Sequence, residues 1–191
     1  MTQRVLVDAN VLASRTCLDW LFFLRCENEG MFQLHATTDI LAEAIRVLRK
    51  NNPRLPGRVV TDRMGKIQQC LDEVVSEFSG EEKFSGTDEG DYHVHAAAVA
   101  SRANLIISNN DPTDITQTPD EEPYEIITAD EFFMLVTDSH PHCVVPITRQ
   151  QFDYWGSKHG SQQLDAALRK ADCPEFARRV RTALQYIART S

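Results

Sequence analysis

Val5-Leu6-Val7 runs directly into Asp8, and Asn10 follows two residues later at the head of an apolar, helix-like stretch. A short apolar strand that delivers a carboxylate and then an amide to its C-terminal tip, just before a helix begins, builds the edge where open α/β sheets keep their chemistry. That constrains the remainder of the chain. Further strands must arrive beside this one, and helices must cover them.

The pattern downstream meets that demand. Asn10 is placed to cap a helix through the apolar region 17–24, and residues 32–35 read as a second strand. Thr37, Thr38 and Asp39 offer caps for a helix with Leu41, Ala44, Ile45 and Leu48 at helical spacing. Asn51-Asn52-Pro53 breaks it. Residues 59–78 then read as one more helix, with Met64, Ile67, Leu71, Val74, Val75 and Phe78 three or four apart. A loop rich in Gly, Ser and charge spans 79–90, and Asp91 stands like a cap ahead of an Ala- and Val-rich helix. Leu105-Ile106-Ile107-Ser108 is a short buried strand, followed by the turn-rich Asn109-Asn110-Asp111-Pro112-Thr113-Asp114. Residues 124–127 form the next strand, and Thr128 with Glu131 makes a capping box for the helix after it.

Strands alternating with helices imply an α/β fold: a doubly wound, mostly parallel sheet with helices on both faces. Residues 144–146 read as a last strand or a linker, and three helices are expected over 148–155, 161–170 and 174–189. The expected division is therefore an α/β domain over 1–145 and a small helical appendage over 146–191.

Composition narrows the setting. No stretch approaches the roughly 18 apolar residues of a membrane helix, and the first residues lack the basic-then-apolar pattern of a signal peptide, so a soluble, cytoplasmic protein is expected. The five cysteines are scattered without Cys-x-x-Cys spacing, which indicates buried thiols rather than a disulfide framework or a zinc site. The formal net charge of −8 argues at face value against a nucleic-acid binder. Its distribution weakens the objection, because residues 1–145 hold 12 basic and 24 acidic side chains, whereas 146–191 hold 8 and 4.

Asp8, Glu43, Asp91 and the 111–114 turn are far apart in sequence, yet strand tips and helix starts converge at the switch in strand order of a doubly wound sheet. Carboxylates crowded together repel one another, and a divalent cation is the usual remedy. Oxygen ligands select magnesium or manganese.

The blocks Val5-Leu6-Val7-Asp8-Ala9-Asn10-Val11-Leu12, Ile40-Leu41-Ala42-Glu43-Ala44, Asp91-Tyr92-His93-Val94-His95-Ala96-Ala97-Ala98 and Leu105-Ile106-Ile107-Ser108-Asn109-Asn110 resemble the PIN-domain ribonucleases, and VapC-type toxins most closely. The resemblance spans roughly residues 4–136, with all four blocks in order. It implies that Asp8, Glu43 and Asp91 ligate Mg²⁺ or Mn²⁺ and that Asn10 supports the first block. It also implies a fourth acidic position, three residues after an Asn or Asp that follows the fourth strand. Here the turn carries an extra residue, so both Asp114 and Asp111 are candidates, with Asp114 preferred. The activity implied is endonucleolytic hydrolysis of RNA by an activated water, with a cognate antitoxin covering the acidic cleft and homodimers common.

Each residue also has a plainer role open to it. Asp8 and Asp91 suit helix caps, Glu43 a solvated helix face, and Asp111 and Asp114 turn positions. His93 and His95 read first as packed or surface histidines, although His95 shares a helix face with Asp91. The arginines of the appendage, among them Arg169, Arg178, Arg179 and Arg181, suit a solvated face or an RNA backbone. Tyr154 and Trp155 suit packing more than base stacking. The competing functions are a PIN-fold RNA-processing nuclease, an inactive RNA-binding PIN module, and a phosphotransfer domain using Asp8. A phosphatase of the haloacid-dehalogenase kind wants a second Asp where Asn10 stands, and a receiver domain wants an acidic pair before its phosphorylated Asp.

Overall fold

The computed structural model describes residues 2–158 and 162–190. In chain order its main elements are β1 (Gln3–Val7), α1 (Ala9–Ala13), α2 (Arg15–Glu27), β2 (Phe32–Thr37), α3 (Thr38–Asn51), α4 (Gly57–Cys70) and β3 (Glu73–Val75). They continue with α5 (Tyr92–Ala100), β4 (Leu105–Ile107), α6 (Pro112–Ile115), β5 (Glu125–Ile127), α7 (Ala129–Ser139), α8 (Val144–Gly156), α9 (Leu164–Lys170) and α10 (Pro174–Thr190). The fold is α/β.

All four strand pairings are parallel, in the order β3-β2-β1-β4-β5. Val5 stands opposite Leu34 on one side and Leu105 on the other, so β1 is the centre of the sheet. Its Val5, Leu6 and Val7 are fully buried, as expected of a strand covered on both faces. The chain runs outward from β1 to β2 and β3, then returns to place β4 and β5 on the opposite flank. The gap between the tips of β1 and β4 is therefore the topological switch point.

Three expectations are corrected. Residues 59–78 do not form one helix: α4 stops at Cys70 and the chain enters the short edge strand β3. The cause is tertiary. Asp72 accepts from the Leu34 backbone N–H at 2.8 Å and from Arg25 Nε and Nη2 at 2.9 and 2.5 Å, while its own N–H donates to the Leu34 carbonyl at 2.8 Å. These bonds draw the segment onto β2 and override the helical spacing of Leu71, Val74 and Val75. Likewise residues 144–146 are neither strand nor linker; α8 begins at Val144 and continues through the helix expected over 148–155. The Thr128–Glu131 capping box is present in full. The first helix is broken in two, and Asp8 and Ser14 cap its parts rather than Asn10. The helix expected over 161–170 is present from Leu164; its first residue lies outside the described residues.

The C-terminal helices share the core of the sheet domain. Phe176 of α10 packs edge-on to Trp20 of α2, with ring centroids 4.9 Å apart, and lies 5.1 Å from Phe133 of α7. Asp130 of α7 accepts from the backbone N–H groups of Glu175 and Phe176 at 3.0 and 2.8 Å, so one helix satisfies the open N-terminus of another. Arg179 reaches Thr137 Oγ1 and Asp138 Oδ1, each at 2.6 Å. Four cysteines are buried and Cys26 is exposed, all of them free thiols. Among the described residues, no helix is long and apolar enough to cross a membrane.

Candidate active site

Asp8 leaves β1 in an extended conformation and caps α1, accepting from the Ala9 N–H at 2.6 Å through Oδ1. Its Oδ2 accepts from Asn10 Nδ2 and from Ser108 Oγ, both at 2.7 Å. Ser108 follows β4, so this contact spans the switch point. Asn10 Nδ2 also lies 3.2 Å from Ser108 Oγ, and Asn10 Oδ1 accepts from the Asn109 N–H at 3.2 Å. Asn10 thus ties two strand tips together and fixes the Asp8 carboxylate. Burial raises the Asp8 pKa; its hydrogen bonds and His93 oppose that rise, and Glu43 adds to it.

Asp91 occupies the N-cap position of α5 but its side chain makes no capping bond, leaving the carboxylate uncommitted to the helix. It is buried and raised from 3.8 to about 6, first by burial and then by the negative charges of Asp8, Asp88, Glu43 and Asp114. Three carboxylates distant in sequence, Asp8, Glu43 and Asp114, and the neighbouring Asp88 thus act on one. Glu43, midway along α3, is paired with Arg46 Nη2 at 2.5 Å and faces His93 Nε2 at 3.6 Å.

The fourth acidic position divides cleanly. Asp111 caps α6, accepting from the Thr113 N–H at 3.0 Å and its hydroxyl at 2.8 Å; the side chain is exposed, and these two bonds lower its pKa. Asp114 lies one turn further, receives the Thr87 hydroxyl at 3.0 Å, and is the member of the pair whose charge bears on Asp91. Two strand-like bonds, Thr87 N–H to the Thr113 carbonyl at 2.9 Å and Asp88 N–H to the Asp114 carbonyl at 3.3 Å, hold the 85–88 loop against α6. Gly86 permits that approach, since a Cβ there would stand 2.2 Å from the Asp114 carbonyl oxygen.

Asp88 was not anticipated from the sequence. It caps the 3₁₀ turn that leads into Asp91, accepting from the Gly90 N–H at 2.8 Å. Its one signal was position, three residues ahead of Asp91 in an acidic, Gly-containing loop. His95, by contrast, turns away into the interior, where Nδ1 lies 2.6 Å from the Tyr124 hydroxyl and 3.7 Å from Glu122 Oε2. It is a packed histidine.

The donors at this edge are carboxylate and amide oxygens, and their mutual repulsion is what a small, hard dication relieves. In donor chemistry and charge they fit magnesium or manganese. Among the described residues, however, no three His, Cys, Asp or Glu side chains already stand as a metal cage. Gripping an ion would require the carboxylates to draw together.

These acidic residues gather at the switch point of a parallel α/β sheet, the edge at which proteins of that class bind their ligands. The PIN domain family model matches residues 4–111, more than half of the chain, and the chain belongs to that family, whose domains are generally nucleases. The matched span takes in Asp8, Glu43, Asp91 and Asp111 and ends before Asp114. No curated protein and no solved structure matches the chain.

Proposed function

We propose that this protein is a metal-dependent endoribonuclease that hydrolyses RNA phosphodiester bonds with an activated water. The observation that carries the reading is Asp91, buried without a capping bond and raised to about 6 by burial and four surrounding carboxylates. A helix cap has no use for such crowding, whereas a cation site depends on it.

In this reading Asp8, Glu43, Asp91 and Asp114 hold Mg²⁺ or Mn²⁺. Such an ion supplies activation of a water at neutral pH and neutralisation of the charge that grows on the phosphoryl oxygens. The protein's own part is placement. Asn10 and Ser108 hold the Asp8 carboxylate in one orientation, so that its position is set before substrate arrives. The 85–88 loop, clamped on α6, presents Asp114 beside Asp91. Arg46 pairs with Glu43, and His93 stands beside the same carboxylate.

The particular biological role proposed is that of a VapC-type toxin held silent by a cognate antitoxin. An RNA-processing nuclease shares the same chemistry. The decisive experiment incubates the purified protein with end-labelled RNA and Mn²⁺ or Mg²⁺, with and without chelator, beside Asp8→Ala. Cleavage that persists in both chelator and Asp8→Ala overturns the mechanism, and covalent phosphate on Asp8 would replace it with phosphotransfer. Growth arrest on expression, absent with Asp8→Ala, separates the toxin from the processing enzyme.

A further inference from the structure

A cavity of about 450 Å³ opens between α2, α8 and α9, within the size range of small-ligand pockets. Its walls include Arg15, Asp19, Gln151, Trp155 and Lys170. Gln151 is only 1% exposed, and its Oε1 accepts from Trp155 Nε1 at 3.1 Å. An indole N–H can only donate, so this bond fixes which end of the amide is oxygen. The remaining Nε2 is buried and has no partner among the described residues. A buried donor without an acceptor is costly, and a ligand that supplies one removes the cost. Above it, the Arg15 guanidinium lies over the Trp155 ring, with Cζ 4.2 Å from the centroid. Lys170 adds a second exposed cation, and the wall's carboxylate, Asp19, is faced by Arg15, Arg63 and Lys66.

The pocket therefore asks for three things together: a hydrogen-bond acceptor for Gln151, a flat face for the Arg15–Trp155 stack, and negative charge for Arg15 and Lys170. A nucleotide offers all three, since bases stack on aromatic rings and on guanidinium planes, and carry acceptors on their edges. The site also lies close to the acidic edge along the chain. Asp8 caps α1, which rises about 7.5 Å over its five residues, and Arg15 opens α2 just beyond it. We propose that this pocket is a subsite for one unpaired nucleotide of the RNA strand flanking the scissile bond. A base acceptor takes the Gln151 Nε2 proton, the base stacks on the Arg15–Trp155 layer, and the phosphate lies between Arg15 and Lys170. This rests on the ribonuclease reading above.

The test uses the full-length Asp8→Ala protein, so that RNA is not consumed, titrated with a single-stranded RNA hexanucleotide and separately with nucleoside 5′-monophosphates. The chain has two tryptophans and both border the cavity; Trp20 is only 2% exposed and packed edge-on against Phe176, whereas Trp155 is partly exposed and is the ring a stacked base would quench. Saturable quenching is expected, and it should vanish in Trp155→Phe if the signal comes from that ring. Gln151→Glu, which replaces the donor with a negative acceptor, and the exposed Lys170→Glu should each weaken RNA binding about 5–10-fold, the scale of one or two lost polar contacts. Trp155→Leu should cost about tenfold. Melting curves identify any variant that fails to fold, in which case Lys170→Glu decides. RNA bound equally well by all these folded variants overturns the subsite, while Asp8-dependent cleavage by the parent would still uphold the nuclease. No binding and no cleavage by the parent removes both.

Discussion

Asp91 and Asp165 are both buried aspartates, and the protein treats them in opposite ways. Burial would raise Asp165, but Arg169 at 2.7 Å and Arg181 at 3.3 Å outweigh it and hold the carboxyl below its ordinary value. Nearby, Asp130 is spent on the backbone N–H groups that open α10. Asp91 receives no such compensation: its neighbours in charge are Asp8, Asp88, Glu43 and Asp114. The C-terminal helices use acid to hold the fold together. The sheet edge instead concentrates acid where the fold alone gains nothing from it, and that contrast separates a structural carboxylate from one awaiting a cation.

The sharpest way to break this comparison is to neutralise each kind of residue and read activity and stability together. Asp91→Asn should reduce RNA cleavage by roughly 10²–10³-fold or more, the scale of losing one preorganised charged group. Asp165→Ala should leave cleavage by the remaining folded protein near the parental rate. It should instead destabilise by about 1–3 kcal/mol, because it removes two charge-assisted hydrogen bonds and leaves a small buried gap, read as a lower midpoint in urea. If Asp165→Ala silences the folded enzyme, the division between the two regions is wrong.

Stability and pH sharpen it further. Asp91 has a higher pKa folded than unfolded, so the folded state holds its proton more tightly. The stability this confers is complete below about 3.8, is lost as pH rises toward about 6, and stays lost above. At neutral pH, Asp91→Asn should therefore raise Tm by roughly 2–6 °C, and the gain should disappear below pH 4. Asp165 carries the opposite sign: its contribution is present above its unfolded value and lost as pH falls through its lower folded value. Activity of the parent should decline as pH drops through about 6, where protonation of Asp91 competes with the ion, and added Mn²⁺ should shift that decline downward.

The smallest effect concerns the turn. Asp114→Asn should lower cleavage severalfold more than Asp111→Asn, whose exposed carboxylate is engaged by Thr113 of its own turn. Equal effects of the two substitutions in matched cleavage assays would mean that the turn, rather than the Asp114 charge, matters.

Much of this was legible in the chain. Val5–Val7 and Leu105–Ile107 declare themselves as buried strands because each is wholly apolar and each ends in polar, turn-forming residues. Asp8, Glu43 and Asp91 stand out because they recur at strand tips and helix faces that the order of elements brings to one edge. The Thr128–Glu131 capping box is local chemistry and reads locally. Strand β3 and the start of α8 were not legible. Asp72 leaves the helical register only because Arg25 and Leu34 are there to bind it, and neither is near it in sequence.

The sequence by itself determined the alternation of strand and helix, the carboxylates and the amide at Asn10, since periodicity and residue chemistry are properties of neighbours along the chain. Only the tertiary structure decided that Asp114 rather than Asp111 bears on Asp91, that Asp88 joins them, and that His95 faces Tyr124. It also decided that Gln151 keeps beside Trp155 a donor that no described residue uses. Electrostatic crowding and hydrogen-bond satisfaction depend on distances across space, and those exist only once the chain has folded.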